Sequence, residues 1–265
     1  MPTTRNDAYE ITYEVDGDGP QRLVFAHGLM GTGATQRAML APLVDAGWTV
    51  VTFNQRGHGS STPVTSAGGF DPDAMGADLW AVAGAAGFDR CWIGGGSMGA
   101  ATSFCAARNA PERVEGLIQA VPALKSTPHE LAWVFEGLAD RVRDAGIEGL
   151  IETITEFGVQ MGRPEPDLAF HDELRSHRDP SSIELALRTV PNWCIPDVPS
   201  ALGTFPFPVI VQGWDDDPIH PLAFAKQCAA AAGVELLELD QNAVMDDRGA
   251  AGRAYAERLS AVVAQ

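Results

Sequence analysis

The stretch RCWIGGGSMGAATSFCAARNAP, residues 90–111, decides the fold. Its first part, 90–96, is a short apolar run that predicts a buried strand, and 98–111 predicts a helix. Ser97 stands at the junction, between Gly95 and Gly99, where larger side chains would collide with the neighbouring strand and helix. Such a turn exposes the serine hydroxyl at a helix N-terminus, where the helix dipole favours developing negative charge. The pattern therefore predicts Ser97 as a nucleophile.

The alternation of strand and helix continues along the chain. Apolar runs predict strands at 22–28, 48–57, 90–96, 114–123, 207–214 and 234–240, and helical patterns cover 35–47, 71–87, 98–111, 221–233 and 249–265. This order predicts an α/β fold, with a mostly parallel, doubly wound sheet whose two faces are covered by helices. The first apolar segment, 9–25, contains a DGDG turn and predicts an antiparallel hairpin at the sheet edge.

The alternation stops between residues 124 and 204. This segment has helical patterns and several aromatic residues, and it follows a predicted strand. We expect a helical cap over 124–204, lying above the carboxyl ends of the strands, and a core domain formed by 1–123 and 205–265. The aromatic residues are expected to form the cap's own core, which is compatible with some of them lining a ligand pocket.

Composition narrows the range of partners. The chain has 35 Asp and Glu against 18 Lys and Arg, which gives a formal charge of −17. Such a charge repels phosphate groups and anionic lipids, so neither nucleic acid nor a membrane is expected as a partner. The N-terminal residues have no apolar run, and we expect a cytoplasmic protein. His171 and His177 are six residues apart and do not share a helix face, so no metal site is predicted.

A second strand end carries the sequence FAHGLMGTG, residues 25–33. Its backbone can turn so that the N–H of Leu29 and the N–H of Met98 point at the same place, and two such donors form an oxyanion hole. His27 is then expected to brace this loop rather than to act as a base. Arg56 and His58, in NQRGHGSS, are expected to anchor another loop.

Four motifs together resemble the α/β-hydrolase superfamily with a helical cap. They are HG at 27–28, RGHGSS at 56–61, GGSMG at 95–99 and GWDDDPIHP at 213–221. The resemblance implies that Ser97 is the nucleophile and that an aspartate of the last motif is the acid. Counting back from Pro221 favours Asp217, and counting forward from Gly213 favours Asp216; Asp217 is the acid that we expect. The superfamily includes esterases, lactonases, haloperoxidases and C–C hydrolases, so the fold does not choose the chemistry.

The resemblance also implies a histidine about 25 to 30 residues after the acid. Many relatives have Gly-His where this chain has Val244 and Met245, and no histidine follows His220. Met245 is therefore expected at the position of the missing histidine, and a thioether cannot accept the proton of a serine. The candidates for a substitute base are His220, three residues after Asp217, and Asp246. Three further histidines in the predicted cap could also serve: His129, His171 and His177.

The sequence thus predicts a hydrolase of a small, mostly apolar ester, lactone or related carbonyl compound, with an incomplete Ser-His-Asp triad. No cofactor is implied, and a homodimer is left open. Two other functions remain at this point. One is a catalytically impaired protein that binds a small apolar ligand. The other is a lyase, isomerase or cyclase on the same scaffold.

Overall fold

The computed structural model of the chain describes residues 1–160, 165–215 and 217–263. Its strands are β1 (Thr3–Asn6), β2 (Tyr9–Asp16), β3 (Gln21–Ala26), β4 (Trp48–Phe53), β5 (Cys91–Gly96), β6 (Val114–Ala120), β7 (Val209–Trp214) and β8 (Leu237–Leu239). Its helices are α1 (Gly33–Asp45), α2 (Pro72–Ala85), α3 (Met98–Asn109), α4 (Ala132–Gln160), α5 (Leu168–Arg175), α6 (Pro180–Thr189), α7 (Val198–Leu202), α8 (Leu222–Ala232), α9 (Gln241–Asp246) and α10 (Ala250–Val263).

The strands form one sheet in the order β1-β2-β4-β3-β5-β6-β7-β8. The pairings from β4 to β8 are parallel, and β2 joins antiparallel to β1 and β4. The mostly parallel, doubly wound sheet is confirmed. The expected hairpin over 9–25 is wrong, because β4 lies between β2 and β3. The antiparallel hairpin at the edge is instead β1–β2, and Asp7 in its turn has a φ of 50°.

The central strands are buried because helices cover both faces of the sheet. All six residues of β4, WTVVTF, are buried, as expected for a parallel strand between two helical layers. On one face, side chains of α1 and α10 such as Leu40 and Tyr255 pack against the sheet. On the other face, α2, α3 and α8 contribute Leu79, Phe104 and Phe224. The core therefore fixes the strand ends, where the predicted site residues lie.

Residues 124–204, called here the helical segment, contain α4 to α7 and no strand within their described part. α4 is broken at Gly146, which has a φ of 66°. Phe135, Leu150, Leu174 and Leu187 form a separate apolar cluster between these helices. The division into a core and a cap at 124 and 204 stays a prediction. None of the helices in the described residues is long and apolar enough to cross a membrane.

Candidate active site

Ser97 lies between β5 and α3, in the turn that the glycines predicted. Its backbone has a φ of 55° and a ψ of −115°, a conformation that a non-glycine residue rarely adopts. A Cβ atom on Gly95 would lie 2.2 Å from the Gly99 carbonyl oxygen, and one on Gly99 would lie 2.1 Å from that of Ala26. Only glycine fits at either position. The side chain of Ser97 is consequently held at the carboxyl edge of the sheet, directly before the first turn of a helix.

His220 connects Ser97 to Asp217. Its Nε2 atom lies 2.9 Å from the Ser97 Oγ, and its Nδ1 atom lies 2.6 Å from the Asp217 Oδ2. An ionised carboxylate can only accept, so Nδ1 carries the proton and Nε2 is left to accept the Ser97 hydroxyl proton. The three side chains come together because β5 and β7 both end at this edge and Asp217 and His220 are three residues apart in one turn.

Asp217 is surrounded by hydrogen-bond donors. Its Oδ2 accepts from Trp214 Nε1 at 2.8 Å and from Gln241 Nε2 at 3.4 Å, and its Oδ1 accepts from the Ile219 N–H at 2.8 Å. Burial raises the pKa of this carboxyl, but the bonds and charge of His220 and the bonds from Trp214 and Ile219 outweigh it, and the pKa is lowered to about 2. Asp217 is thus held as a carboxylate. The alternative acid, Asp216, lies outside the described residues.

Met245 does not occupy the place of the triad histidine. It lies in α9 with 44% of its side chain exposed, and it lines a cleft that contains neither Ser97 nor His220. Asp246 lines the same cleft. The expectation for Met245 is therefore wrong. The physical reason is that residues after β8 form the short helix α9, which Asp240 caps by accepting from the Ala243 N–H, and Met245 lies on this helix away from Ser97. The residue after β8 that reaches the acid is Gln241.

The other histidines are engaged with backbone groups or the helical segment. His27 is fully buried, its Nδ1 donates to the Gly28 carbonyl and its Nε2 accepts from the Gln55 N–H; burial lowers its pKa to about 3. His129 Nε2 donates to the Ile219 carbonyl at 2.7 Å, since its Nδ1 accepts from the Leu131 N–H.

The remaining three histidines lie away from the Ser97 hydroxyl. His171 contacts Thr155. His177 bridges Gly59 and Met30. His58 Nδ1 faces the Arg56 carbonyl. Of the six histidines, all of which lie in the described residues, His220 is the one that forms a hydrogen bond with Ser97.

A cavity of about 120 Å³ opens at Ser97. Leu29 and Met98, the expected oxyanion donors, both line it. Met98 is the first residue of α3, so its N–H has no partner within the helix. The rest of the wall is mostly apolar and comes largely from the helical segment and its neighbours: Ala123, Leu124, Phe135, Val190, Pro191 and Ile219.

A larger cleft of about 880 Å³ lies between α4, α5 and the loop around α9. Its wall includes His171, Met245 and an Arg248–Asp167 ion pair. None of the residues that line it belongs to the Ser97–His220–Asp217 group. We therefore take the smaller cavity as the candidate site, because Ser97 and His220 both line it.

Sequence reasoning missed two side-chain donors to Asp217, Trp214 and Gln241. Trp214 ends β7 three residues before Asp217, so its position at a strand end was a usable signal. Gln241 offered none, because its contact with Asp217 depends on how β8 pairs with β7.

Comparison with known proteins agrees with this fold. A family model described as the alpha/beta hydrolase fold matches residues 21–171. The chain belongs to the alpha/beta hydrolase fold family. Among curated proteins, this hydrolase-fold chain is similar to the putative carbamate hydrolase RutD of Caulobacter segnis, with 24% identity over 83% of this chain and 84% of the relative. It is also similar to a non-heme haloperoxidase of Rhodococcus erythropolis, with 28% identity over 86% of each chain.

Among solved structures, the hydrolase fold seen here is similar to that of an enol-lactonase from Burkholderia xenovorans LB400. The TM-score is 0.79 with 16% identity, and each chain is covered completely. At this identity the likeness concerns the fold alone.

Proposed function

We propose that the protein is a serine hydrolase that acts on small, neutral, mostly apolar esters, lactones or related carbonyl compounds. The observation that carries the proposal is the line of contacts from Ser97 through His220 to Asp217, at 2.9 Å and 2.6 Å. In this proposal Ser97 is the nucleophile, His220 is the general base and Asp217 orients the imidazole. The triad is complete, with its histidine on the turn after β7.

The first half of the reaction depends on the direction of these hydrogen bonds, from Ser97 to His220 and from His220 to Asp217. His220 Nε2 takes the hydroxyl proton while Ser97 Oγ forms a bond to the carbonyl carbon. The carbonyl oxygen becomes an oxyanion, and the N–H groups of Leu29 and Met98 are proposed to donate to it. The imidazolium then protonates the leaving alcohol as the carbon–oxygen bond breaks, which leaves an acyl-Ser97. The Asp217 carboxylate stabilises the imidazolium during both steps.

The second half of the reaction repeats these steps with water as the nucleophile. His220 removes a proton from water, the hydroxide attacks the acyl carbon, and the oxyanion forms again in the same place. Collapse of this intermediate breaks the bond to Ser97 Oγ, and His220 returns the proton to the serine. The product is a carboxylic acid, and no further reactant is required.

The size of the site supports a small acyl group. The cavity at Ser97 is about 120 Å³, and a buried apolar cavity of about 150 Å³ can hold a benzene molecule. Its wall is mostly apolar, and the charge of −17 on the chain disfavours the approach of anionic substrates. We propose that the helical segment acts as the cap that closes this cavity, since Phe135, Val190 and Pro191 form part of its wall.

The experiment is a hydrolysis assay with matched substrates and variants. A panel of p-nitrophenyl acetate, butyrate and octanoate, a small lactone and a small carbamate would give kcat/KM values for the wild type and Ser97→Ala. The carbamate is included because of the curated relative. We expect turnover of the short esters, a decline towards octanoate, and loss of at least about 10³-fold in Ser97→Ala.

A second arm examines the nucleophile directly. A fluorophosphonate should label the wild type once per chain, at Ser97, and should leave Ser97→Ala unlabelled. Absence of both labelling and turnover in the folded wild type would contradict the proposal and favour a ligand-binding protein. Turnover that survives Ser97→Ala would instead favour direct attack by water, without an acyl-Ser97, on the same scaffold.

A further inference from the structure

We propose that His177 and Glu173, both from the helical segment, are positioning residues that orient the Leu29 N–H towards the oxyanion. This inference rests on the proposed function, because it concerns how one of the two proposed oxyanion donors is aimed. It assigns to the helical segment a role in transition-state stabilisation, beyond closing the cavity.

The hydrogen bond from Gly59 decides which ring nitrogen of His177 carries the proton. Its Nδ1 accepts from the Gly59 N–H at 2.8 Å, so the ring proton is on Nε2, which donates to the Met30 carbonyl at 2.9 Å. The side chain is buried, with 5% of the residue exposed. His177 thus joins two loops that both belong to the sheet edge, and one of them is the loop that carries Leu29.

A chain of planar peptides transmits this contact to Leu29. The Met30 carbonyl and the Gly31 N–H belong to one planar trans peptide, so fixing the carbonyl also orients the N–H. The Gly31 N–H donates to the Gly28 carbonyl at 3.0 Å. That carbonyl shares its own peptide plane with the Leu29 N–H, which must point in the opposite direction. His177 therefore sets the direction of the Leu29 N–H through two peptide planes.

Glu173 holds the same loop at Thr32, two residues after Met30. Its Oε1 accepts from the N–H of Thr32 at 2.5 Å and from the Thr32 hydroxyl at 2.8 Å. Thr32 directly precedes α1, and its side chain makes no capping bond within that helix. The Glu173 carboxylate therefore lies at the positive end of α1 and fixes the chain next to Gly31. Thr32 and Glu173 are both buried.

The loop needs this support because its backbone is strained. Met30 has a φ of 66°, in the left-handed region that a residue with a side chain rarely occupies. Strain of this kind persists only where surrounding contacts enforce it. From the core side, His27 Nδ1 donates to the Gly28 carbonyl at 2.7 Å. From the other side, the enforcing contacts are those of His177 and Glu173.

The variants that examine this proposal are His177→Phe, which removes both hydrogen bonds, and Glu173→Ala, which removes the acceptor. Glu173→Gln is the conservative variant, since its Oε1 can still accept from Thr32. Arg175→Gln is the matched control on the same helix, because Arg175 forms exposed ion pairs with Glu148 and Asp172 and none with the loop that carries Leu29. Active sites are titrated with fluorophosphonate so that kcat refers to folded enzyme.

We expect kcat for a short ester to fall about 10-fold or more in His177→Phe and in Glu173→Ala, with KM changed by less than about 2-fold. Complete loss of an oxyanion donor lowers kcat by about 10²–10³-fold, and a misdirected donor loses part of that. Affinity for a trifluoromethyl ketone, which forms the oxyanion, should weaken by the same factor as kcat/KM. Glu173→Gln and Arg175→Gln should stay within about 3-fold of the wild type.

Hydrogen exchange of the amides in 27–33 gives a readout that does not depend on activity. It should accelerate in His177→Phe and Glu173→Ala and stay unchanged in Arg175→Gln. If one variant does not fold, the other carries the experiment. Unchanged kcat per active site, or unchanged hydrogen exchange in a folded variant, would overturn this inference. The proposed function would still stand in that case, provided that the wild-type activity depends on Ser97. A wild type without ester turnover would overturn both.

Discussion

The Nε2 atom of His220 lies 2.9 Å from the Oγ atom of Ser97, although 123 residues separate them in the chain. The same imidazole contacts Asp217, only three residues away, through its other nitrogen. The proposed acid and base therefore belong to one turn after β7, and the segment after β8 contributes a hydrogen bond from Gln241 to the acid.

The first prediction distinguishes His220 from Met245. His220→Gln should lower kcat/KM for p-nitrophenyl acetate by at least about 10³-fold, because Ser97 loses its proton acceptor. Met245→His should stay within about 2-fold of the wild type and should not restore activity to His220→Gln, because position 245 lines a different cleft. Ser97→Ala sets the background rate. A rescue by Met245→His would mean that α9 approaches Ser97 in solution.

The second prediction concerns the pH dependence of stability. The pKa of Asp217 is lowered from 3.8 to about 2 in the folded protein. A depressed folded pKa contributes stability that is present above pH 3.8 and is lost as the pH falls through about 2. A difference of one between the unfolded and folded pKa values corresponds to about 1.4 kcal/mol. Asp217→Asn should therefore lower the free energy of unfolding by about 2 kcal/mol at pH 5 to 7.

Urea unfolding of the wild type and Asp217→Asn between pH 2 and pH 7 would measure this difference. It should shrink below pH 4, and it should be smaller at all pH values in a His220→Gln background, because His220 is a principal partner of the carboxylate. A difference that is constant across this range would show that Asp217 acts through packing alone.

The third prediction concerns the glycines around Ser97. Gly99→Ala should lower the free energy of unfolding by about 3 kcal/mol or more, because its Cβ would lie 2.1 Å from the Ala26 carbonyl oxygen and the backbone would have to move. Gly84→Ala is the matched control, since that exposed position in α2 has no atom within 4 Å of a new Cβ. It should be neutral or stabilise by about 0.5 kcal/mol. Equal effects in urea unfolding would contradict the steric explanation.

The fourth prediction concerns the buried ion pair of Arg56 and Asp78. The guanidinium donates Nε and Nη2 to the two carboxylate oxygens at 2.6 Å and 2.7 Å, and both side chains are almost completely buried. Asp78→Ala should lower the free energy of unfolding by about 3–5 kcal/mol, because it leaves an unpaired buried charge. Arg143→Ala, which breaks exposed pairs with Asp140 and Asp144, should leave it almost unchanged, because exposed ion pairs contribute little. Comparable losses in thermal or urea unfolding would argue against burial as the cause.

Most of the fold followed from patterns that are local in the chain. The apolar runs gave the parallel strands, because a strand between two helical layers is apolar on both faces. The pairing of β2 did not follow, since the DGDG turn suggested β3 as its neighbour while the sheet places β4 between them. A turn signal describes a change of direction, and it carries no information about which distant strand then pairs with the segment.

The candidate site also has some features that local sequence patterns predict and others that depend on distant contacts. Gly95 and Gly99 identified the turn at Ser97, and the spacing of Asp217 and His220 suggested that they could share a face. Assigning the missing histidine to Met245 used distance along the chain from the acid, and this assignment failed because α9 starts at Gln241 and directs Met245 outward.

By itself, then, the sequence determined the α/β alternation, the strained turn at Ser97 and the set of residues from which a base could come. These follow from sterics and apolar periodicity, which act within a few residues of the chain. Only the tertiary structure decided that His220 contacts Ser97, that Gln241 reaches Asp217, and that Glu173 and His177 hold the loop of Leu29. Each of these contacts joins separate strand ends or helices, so each depends on the order of the strands in the sheet and on where the helical segment packs.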